Sequence, residues 1–195
     1  MRDRPPSKVP DIRVDIASGV KLSSKVKTFL GIVVSVLALD LWTKSWALTA
    51  LRDQSMELFG GAVPLTLAFN RGAAFGLSIG DDPRWVFIPI SIFAVILLGT
   101  LLSQARSTDV LRVVSVSLVM AGALGNLYDR VRWDRGVVDF IGPIDLGFMD
   151  WPIFNVADMA ISCGAVLLAL SFWLEELEEP APDGATVSPT PPAGE

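Results

Sequence analysis

Histidine is absent from this chain of 195 residues, and cysteine occurs once. Without histidine there is no Ser-His-Asp triad, no Cys-His pair and no metal site built on imidazole. A single cysteine excludes an intrachain disulfide and a zinc site built on thiolates. An enzyme of this composition must work with aspartate, glutamate, serine, threonine, lysine, tyrosine or arginine, and we expect neither a metal nor another cofactor.

Charge is also scarce. Charged residues make up 19% of the chain and hydrophobic residues 51%, whereas an ordinary soluble domain carries about 25% charge. The net charge of −5 says little about partners because the charges lie in blocks, and we expect no nucleic-acid partner. Residues 1–27 hold seven Lys or Arg and are predicted to form a disordered basic arm, while residues 175–195 are predicted to form a disordered tail, first acidic and then rich in proline.

Four apolar stretches lie between these ends, within residues 28–174, and each has roughly the 20 residues that a membrane-spanning helix needs. They are residues 28–48, 85–103, 110–128 and 152–174. The helices of a soluble bundle would show polar faces at a period of 3.6 residues, and these stretches show almost none. We therefore predict an all-α integral membrane protein with four transmembrane helices.

The basic arm predicts the orientation, since Lys and Arg accumulate on the cytoplasmic side of a membrane. The N-terminus is then cytoplasmic, and four crossings return the C-terminus to the same side of the cell membrane. Residues 49–84 and 129–151 face outward. In the first of these segments, residues 63–70 alternate between large apolar and smaller or polar side chains, which indicates a small extracytoplasmic β-strand element between the first and second helices. Gly72 and the small residues after it leave the backbone open to an extended peptide, although a simple capping hairpin would explain the pattern equally well.

Ionisable residues inside the predicted helices are costly and usually have a partner or a function. Asp40 and Lys44 are four residues apart, so they lie on one helix face and can pair. Asp158 follows Pro152 by six residues, roughly 9 Å into the predicted fourth helix, and no Lys or Arg follows it. Its neighbour Asn155 is a candidate helix cap or orienting residue.

A second candidate carboxylate is Asp139, because the apolar residues on both sides of it would raise its pKa. Asp129 adjoins Arg130 and is interpreted first as half of an ion pair. Two neighbouring carboxylates can act as base and acid on a water molecule without histidine or metal. Spacing alone does not establish that Asp139 and Asp158 meet.

Four short strings, in order along the chain, resemble the lipoprotein signal peptidases (type II signal peptidases) of bacteria. They are NRGAAFGL at 70–77, GALGNLYDR at 122–130, VVDF at 137–140 and FNVAD at 154–158. The resemblance implies an aspartyl membrane protease near the outer face of the membrane. Such a protease cuts a prolipoprotein just before its diacylglyceryl-modified cysteine, so its partners are prolipoproteins and membrane lipids.

The resemblance also implies roles for individual residues. Asp139 and Asp158 become the catalytic pair, one taking a proton from water and the other protonating the leaving amine. The supporting or substrate-orienting positions are Asn70, Gly72, Asn126, Asp129, Arg130, Asn155, Asp40 and Lys44.

Two other functions stay open on the residues alone. A small transporter or proton channel would use Asp40 and Asp158 as relay carboxylates, but it predicts further polar residues at mid-membrane depth and an internal repeat, and the sequence shows neither. A Ser/Lys protease would need a serine beside Lys44. Ser45 is the next residue and points off that helix face.

Overall fold

The computed structural model describes residues 22–72 and 82–178. Four long helices dominate this part of the chain, and each is long and apolar enough to cross a membrane. This confirms the predicted all-α membrane fold. The helices are α1 (Ser24–Ala50), α2 (Arg84–Gln104), α3 (Val110–Arg132) and α4 (Val156–Glu178).

The helix ends differ from the predicted spans. Helix α1 begins at Ser24, inside the predicted arm, where the Ser23 hydroxyl oxygen accepts a hydrogen bond from the Val26 N–H at 3.4 Å. Helix α4 continues to Glu178, into the predicted tail. The rest of the arm, up to residue 21, and the rest of the tail, from residue 179, lie outside the described residues.

Helix α3 is the centre of the bundle and packs against the other three long helices. Its buried residues run from Val113 to Asp129 and include serine, asparagine and aspartate. Helix α2, by contrast, buries only Leu98. The polar residues of α3 therefore face neighbouring helices, while most of α2 is left for the lipid.

Two glycines of α3 allow this close packing. A methyl group on Gly125 would lie 2.5 Å from the Asp40 carboxylate of α1, and one on Gly122 would overlap the Ala157 carbonyl of α4. Only glycine leaves room for the three helices to meet at this level. Asp40 and the start of α4 thereby come to the same side of α3.

A small sheet covers one end of the bundle. Strands β1 (Met56–Leu58), β2 (Val63–Asn70) and β3 (Val137–Ile141) are antiparallel in that order, and β4 (Ile144–Asp145) pairs with β5 (Asp150–Trp151). Strand β2 confirms the predicted strand between α1 and α2. Strand β3 was not predicted because its first four residues are all buried, so it shows no alternation between two faces.

The chain that precedes α4 is also joined to this sheet, and the predicted start of the fourth helix at Pro152 is wrong. Ile141 of β3 and Phe154 exchange two backbone hydrogen bonds, at 2.9 and 3.0 Å. These bonds hold the segment in an extended conformation, so α4 begins only at Val156. Asp158 therefore lies in the first turn of α4.

Candidate active site

Asp139 lies near the middle of β3, opposite Ala68 of β2, and is only 2% exposed. Its Oδ1 accepts a hydrogen bond of 2.6 Å from the Asn155 side-chain amide, and the Asn70 side chain lies near enough to lower its pKa. Burial, and after it the nearby charge of Asp158, raises the pKa of Asp139 to about 7, although Asn155 and Asn70 act in the opposite direction. The direction agrees with the prediction from its apolar neighbours.

Asp158 is held by the start of its own helix. Its backbone N–H donates to Asn155 Oδ1 at 2.9 Å, and its Oδ2 accepts from the Asn155 backbone N–H at 3.3 Å. This reciprocal pair is a capping box, in which each residue satisfies a free N–H of the first helical turn. The other carboxylate oxygen accepts a 2.7 Å hydrogen bond from the Asn126 amide of α3.

Asn155 therefore connects the two aspartates. Its side-chain amide bonds to Asp139, while its backbone N–H and side-chain oxygen bond to Asp158. Because Asn155 follows directly on Phe154, the pairing of Phe154 with β3 fixes where this connection lies. The structure thus brings together the two carboxyl groups that spacing alone left apart.

Lys44 lies at the centre of a buried polar cluster behind these carboxylates. Its ammonium group is 2.8 Å from Asp40 Oδ2 and 3.0 Å from Asp129 Oδ2, and it donates a 3.0 Å hydrogen bond to Asn126 Oδ1. The predicted pair of Asp40 and Lys44 is confirmed. Among the described residues, the ammonium group thus contacts two carboxylates and one amide oxygen, and not the serine hydroxyl that a Ser/Lys mechanism would need.

Each carboxylate bound to Lys44 also holds the backbone beside one candidate catalytic residue. Asp40 Oδ1 accepts a 2.9 Å hydrogen bond from the N–H of Ala157, the residue before Asp158. Asp129 Oδ2 accepts a 3.2 Å hydrogen bond from the N–H of Val138, the residue before Asp139. The cluster thus connects α1 and α3 to the backbone at both aspartates.

Arg130 is placed differently from the prediction. Asp129, expected to pair with it, turns instead to Lys44. The Arg130 guanidinium donates to the Asn126 carbonyl at 3.4 Å and lies 5.4 Å from the Phe87 ring of α2. The prediction failed because neighbours in a helix point in directions about 100° apart, so adjacency in sequence does not make a pair. Asp158 and Asp139 lie near enough to Arg130 for their charges to attract its guanidinium.

Asn70 and Gly72 form the turn after β2. Asn70 Oδ1 accepts a 2.8 Å hydrogen bond from the Gly72 N–H, and Gly72 has a φ of +108°. A side chain on Gly72 would also overlap the Phe87 ring. The small residues that follow, predicted to face an extended peptide, lie outside the described residues.

The sequence missed several contributors to this site. The backbone groups of Val138 and Ala157 carry no sequence signal, because any residue offers an N–H. Phe87, which covers Arg130, could not be distinguished from the other apolar residues of α2. In residues 22–72 and 82–178, no group of three or more His, Cys, Asp or Glu side chains is arranged to hold a metal ion.

Comparison with known proteins identifies the family. The family model for signal peptidase (SPase) II matches residues 32–174. A lipoprotein signal peptidase of Francisella tularensis subsp. novicida is 38% identical over 150 residues, which cover 75% of this chain and 91% of the relative. One from Syntrophomonas wolfei is 40% identical over 152 residues, covering 77% of this chain and 96% of the relative.

A solved structure also has a similar fold. A bacterial membrane enzyme solved by the in meso method at 2.3 Å is similar with a TM-score of 0.69 and 31% identity, over 80% of this chain and 96% of that chain. These findings favour the predicted aspartic endopeptidase over the transporter or proton channel. The chain belongs to the signal peptidase II family, the lipoprotein signal peptidases.

Proposed function

We propose that Asp139 and Asp158 are the catalytic pair of this protease. The observation that carries the proposal is the bridge formed by Asn155, which bonds to both carboxylates at once. One aspartate, ionised, takes a proton from a water molecule that attacks the scissile carbonyl. The other, protonated, donates a hydrogen bond to that carbonyl and later a proton to the leaving amine.

The two carboxyl groups share one proton near neutral pH. The raised pKa of Asp139, about 7, supports Asp139 as the group that holds the proton before water attacks. Asp158 then acts as the base, with its charge held by hydrogen bonds from Asn126 and from the backbone of Asn155.

The remaining polar residues position this pair. Lys44 with Asp40 and Asp129 fixes the backbone beside each catalytic aspartate, and Asn70 orients Asp139. Arg130 stabilises negative charge as it develops on the scissile carbonyl, since a fixed positive charge in a largely buried site acts strongly.

The substrate is a prolipoprotein whose cysteine carries a diacylglyceryl group, and cleavage falls just before that cysteine. The names of the relatives support this class of substrate. The peptide lies extended near the end of β2 and Gly72, while its lipid chains stay between the helices. Both termini are cytoplasmic and the site lies near the outer face, as the basic arm indicates.

The test is cleavage of a diacylglyceryl-modified prolipoprotein by the full chain purified in detergent. Asp139→Asn and Asp158→Asn should each remove turnover, by at least the roughly 10²–10⁴-fold that acid–base catalysis supplies. Asparagine keeps the shape of the side chain but cannot exchange the proton. Substrate binding should remain.

Asp134→Asn and Asp145→Asn are matched controls, since both residues are exposed acids between α3 and α4. They should keep full activity. The double variant Asp139→Asn with Asp158→Asn should be little worse than either single variant, because the two groups act as one unit. Activity in a folded Asp158→Asn variant would refute the aspartyl pair.

A further inference from the structure

A second cleft lies on the other side of Lys44 and Asp129, at the same end of the bundle as the sheet. It consists of two adjoining hollows, of about 280 and 410 Å³, between α1, the end of α3, and strands β2 and β3. Ser45, Leu48 and Trp133 line both hollows. None of the residues placed in the catalytic pair lines either one.

The cleft is strongly basic. Arg52, Arg132 and Arg135 line it, and none of the three forms an ion pair with a carboxylate in the described part of the chain. The acid that lines it, Asp129, is already bound to Lys44. Asp134 lies next to Arg135 in sequence but lines neither hollow. Three positive charges therefore face this space without a balancing negative charge.

Two of these charges are held against one aromatic ring. The guanidinium groups of Arg132 and Arg135 lie 4.2 and 4.3 Å from the centre of the Trp133 ring, and Arg135 is also 4.5 Å from the Phe69 ring. Each contact is favourable by itself, but two like charges around one ring repel each other. Among the described residues, the buried Trp133 Nε1 and Arg135 Nε have no hydrogen-bond acceptor. An anion with several oxygen atoms would balance the charge and supply acceptors.

The lower part of the cleft is only partly apolar, because Lys44 and Ser45 also line it. The charge of Lys44 is already taken up by Asp40 and Asp129. Leu41 and Leu48 of α1 line the cleft below the level of Arg52. Along α1, Leu41 lies about 14 Å from the helix end at Ala50, at a rise of 1.5 Å per residue. A basic upper part, with Leu41 and Leu48 two helical turns apart below it, matches a phosphate headgroup with an acyl chain.

We propose that this cleft binds one anionic phospholipid of the membrane. Its phosphate lies against Arg132 and Arg135, and one acyl chain follows Leu41 and Leu48. A zwitterionic lipid is disfavoured because its ammonium group would meet three arginines and no free carboxylate. The bound lipid would attach the sheet to the membrane surface beside the active site. The proposal goes beyond the peptidase reaction and does not depend on which residues catalyse it.

Native mass spectrometry of the full chain tests the proposal. Phosphatidylglycerol or phosphatidylcholine is added to the purified protein in detergent, and the fraction that keeps one lipid is measured. We expect at least a tenfold lower apparent Kd for phosphatidylglycerol. The double variant R132Q with R135Q should lose this preference. Equal retention of both lipids by the unchanged protein would overturn the proposal.

Arg84→Gln is the matched control, because Arg84 also stacks on a tryptophan, Trp85 at 5.8 Å, but is paired with Asp82 at 2.7 Å and lies outside the cleft. It should keep the preference for phosphatidylglycerol. A preference that survives in the double variant refutes the cleft as the binding site. Arg52→Gln gives a separate test if the double variant does not fold, and it should weaken binding in the same direction. Displacement of the lipid by millimolar glycerol phosphate would show that phosphate alone is recognised, which also contradicts a lipid site.

Discussion

Two clusters of charged side chains stand at opposite ends of α3. At one end, Lys44 joins Asp40 and Asp129, and all three side chains are at most 3% exposed. At the other end, Arg112 lies 3.2 Å from Asp109 and contacts Glu175, and the three side chains are 16%, 29% and 59% exposed. Both clusters pair one positive with two negative residues, so they differ mainly in burial.

Because the two clusters differ in burial, their ion pairs contribute differently to the structure. In the buried cluster, each carboxylate also holds a backbone N–H beside a proposed catalytic residue. Because these side chains are so little exposed, water is a poor replacement for a lost partner. In the exposed cluster, Asp109 caps the start of α3 and accepts a 3.0 Å hydrogen bond from the Arg112 N–H. Water competes for the ion pairs of Arg112 with Asp109 and Glu175. The first cluster is part of the architecture of the site, whereas the second adds little to it.

The largest expected effect follows from removing the centre of the buried cluster. Lys44→Met leaves two carboxylates buried without their positive partner, so we expect the free energy of unfolding to fall by about 3–5 kcal/mol. Activity should fall as well, because the backbone beside both aspartates loses its support. Denaturant unfolding in detergent and the cleavage assay measure the two effects.

A compensated variant tests the cause. Adding Asp40→Asn and Asp129→Asn to Lys44→Met removes the uncompensated charge but keeps an oxygen that can accept from each backbone N–H. The triple variant should therefore be more stable than Lys44→Met alone. If it is not, the unpaired buried charge does not explain the loss.

The next effect concerns the close approach of α1 and α3. Gly125→Ala places a methyl group 2.5 Å from Asp40 Oδ2, so Asp40 and the Lys44 cluster must shift. Overpacking of this kind typically costs about 1–3 kcal/mol. Gly99→Ala in α2 is the matched control, since no atom lies within 4 Å of the added methyl, and it should be neutral or slightly stabilising. Similar losses in both variants would contradict the packing argument.

A smaller effect concerns pH. Since the pKa of Asp139 is raised to about 7, the shared proton is lost above that pH, and activity should fall about tenfold per pH unit there. The same shift makes the contribution of Asp139 to stability decrease as pH rises from 3.8 to about 7, because the folded state binds more protons in this range.

The Asp158→Asn variant separates the causes of this shift. It removes the negative charge of Asp158, so the pKa of Asp139 should fall, yet stay above 3.8 because burial is the larger cause. Carbon-13 NMR of the aspartate carboxyl groups measures this directly. An unchanged pKa would show that the two carboxyl groups do not interact.

The sequence predicts contacts between residues that are close along the chain better than contacts between distant ones. The four membrane helices, strand β2 and the pair of Asp40 with Lys44 follow from local patterns of polarity and spacing. The partner of Asp129 does not, because Arg130 is its neighbour in sequence while Lys44 is 85 residues away. Because α1 packs on α3, Lys44 lies closer to the Asp129 carboxylate in space than Arg130 does.

The start of α4 was mispredicted for a related reason. Pro152 is well suited to open a helix, and the apolar residues after it continue the pattern of the span. Phe154 instead pairs with Ile141 of β3, a contact between distant segments that no local pattern reports. The same contact brings Asn155 between Asp139 and Asp158. The pairing of Phe154 with Ile141 therefore both delays the start of α4 and assembles the candidate site.

The smallest expected effect belongs to the exposed cluster. Arg112→Gln removes the contacts with Asp109 and Glu175 and the stacking of the guanidinium 5.0 Å from the Phe172 ring. Exposed ion pairs contribute about 0–1 kcal/mol because water and salt screen them, so the free energy of unfolding should fall by no more than about 1 kcal/mol. The Asp109 cap survives, since it accepts from the backbone N–H of residue 112. Cleavage activity should stay within twofold. A loss comparable to that of Lys44→Met, measured by the same denaturant unfolding, would mean that burial does not distinguish the two clusters.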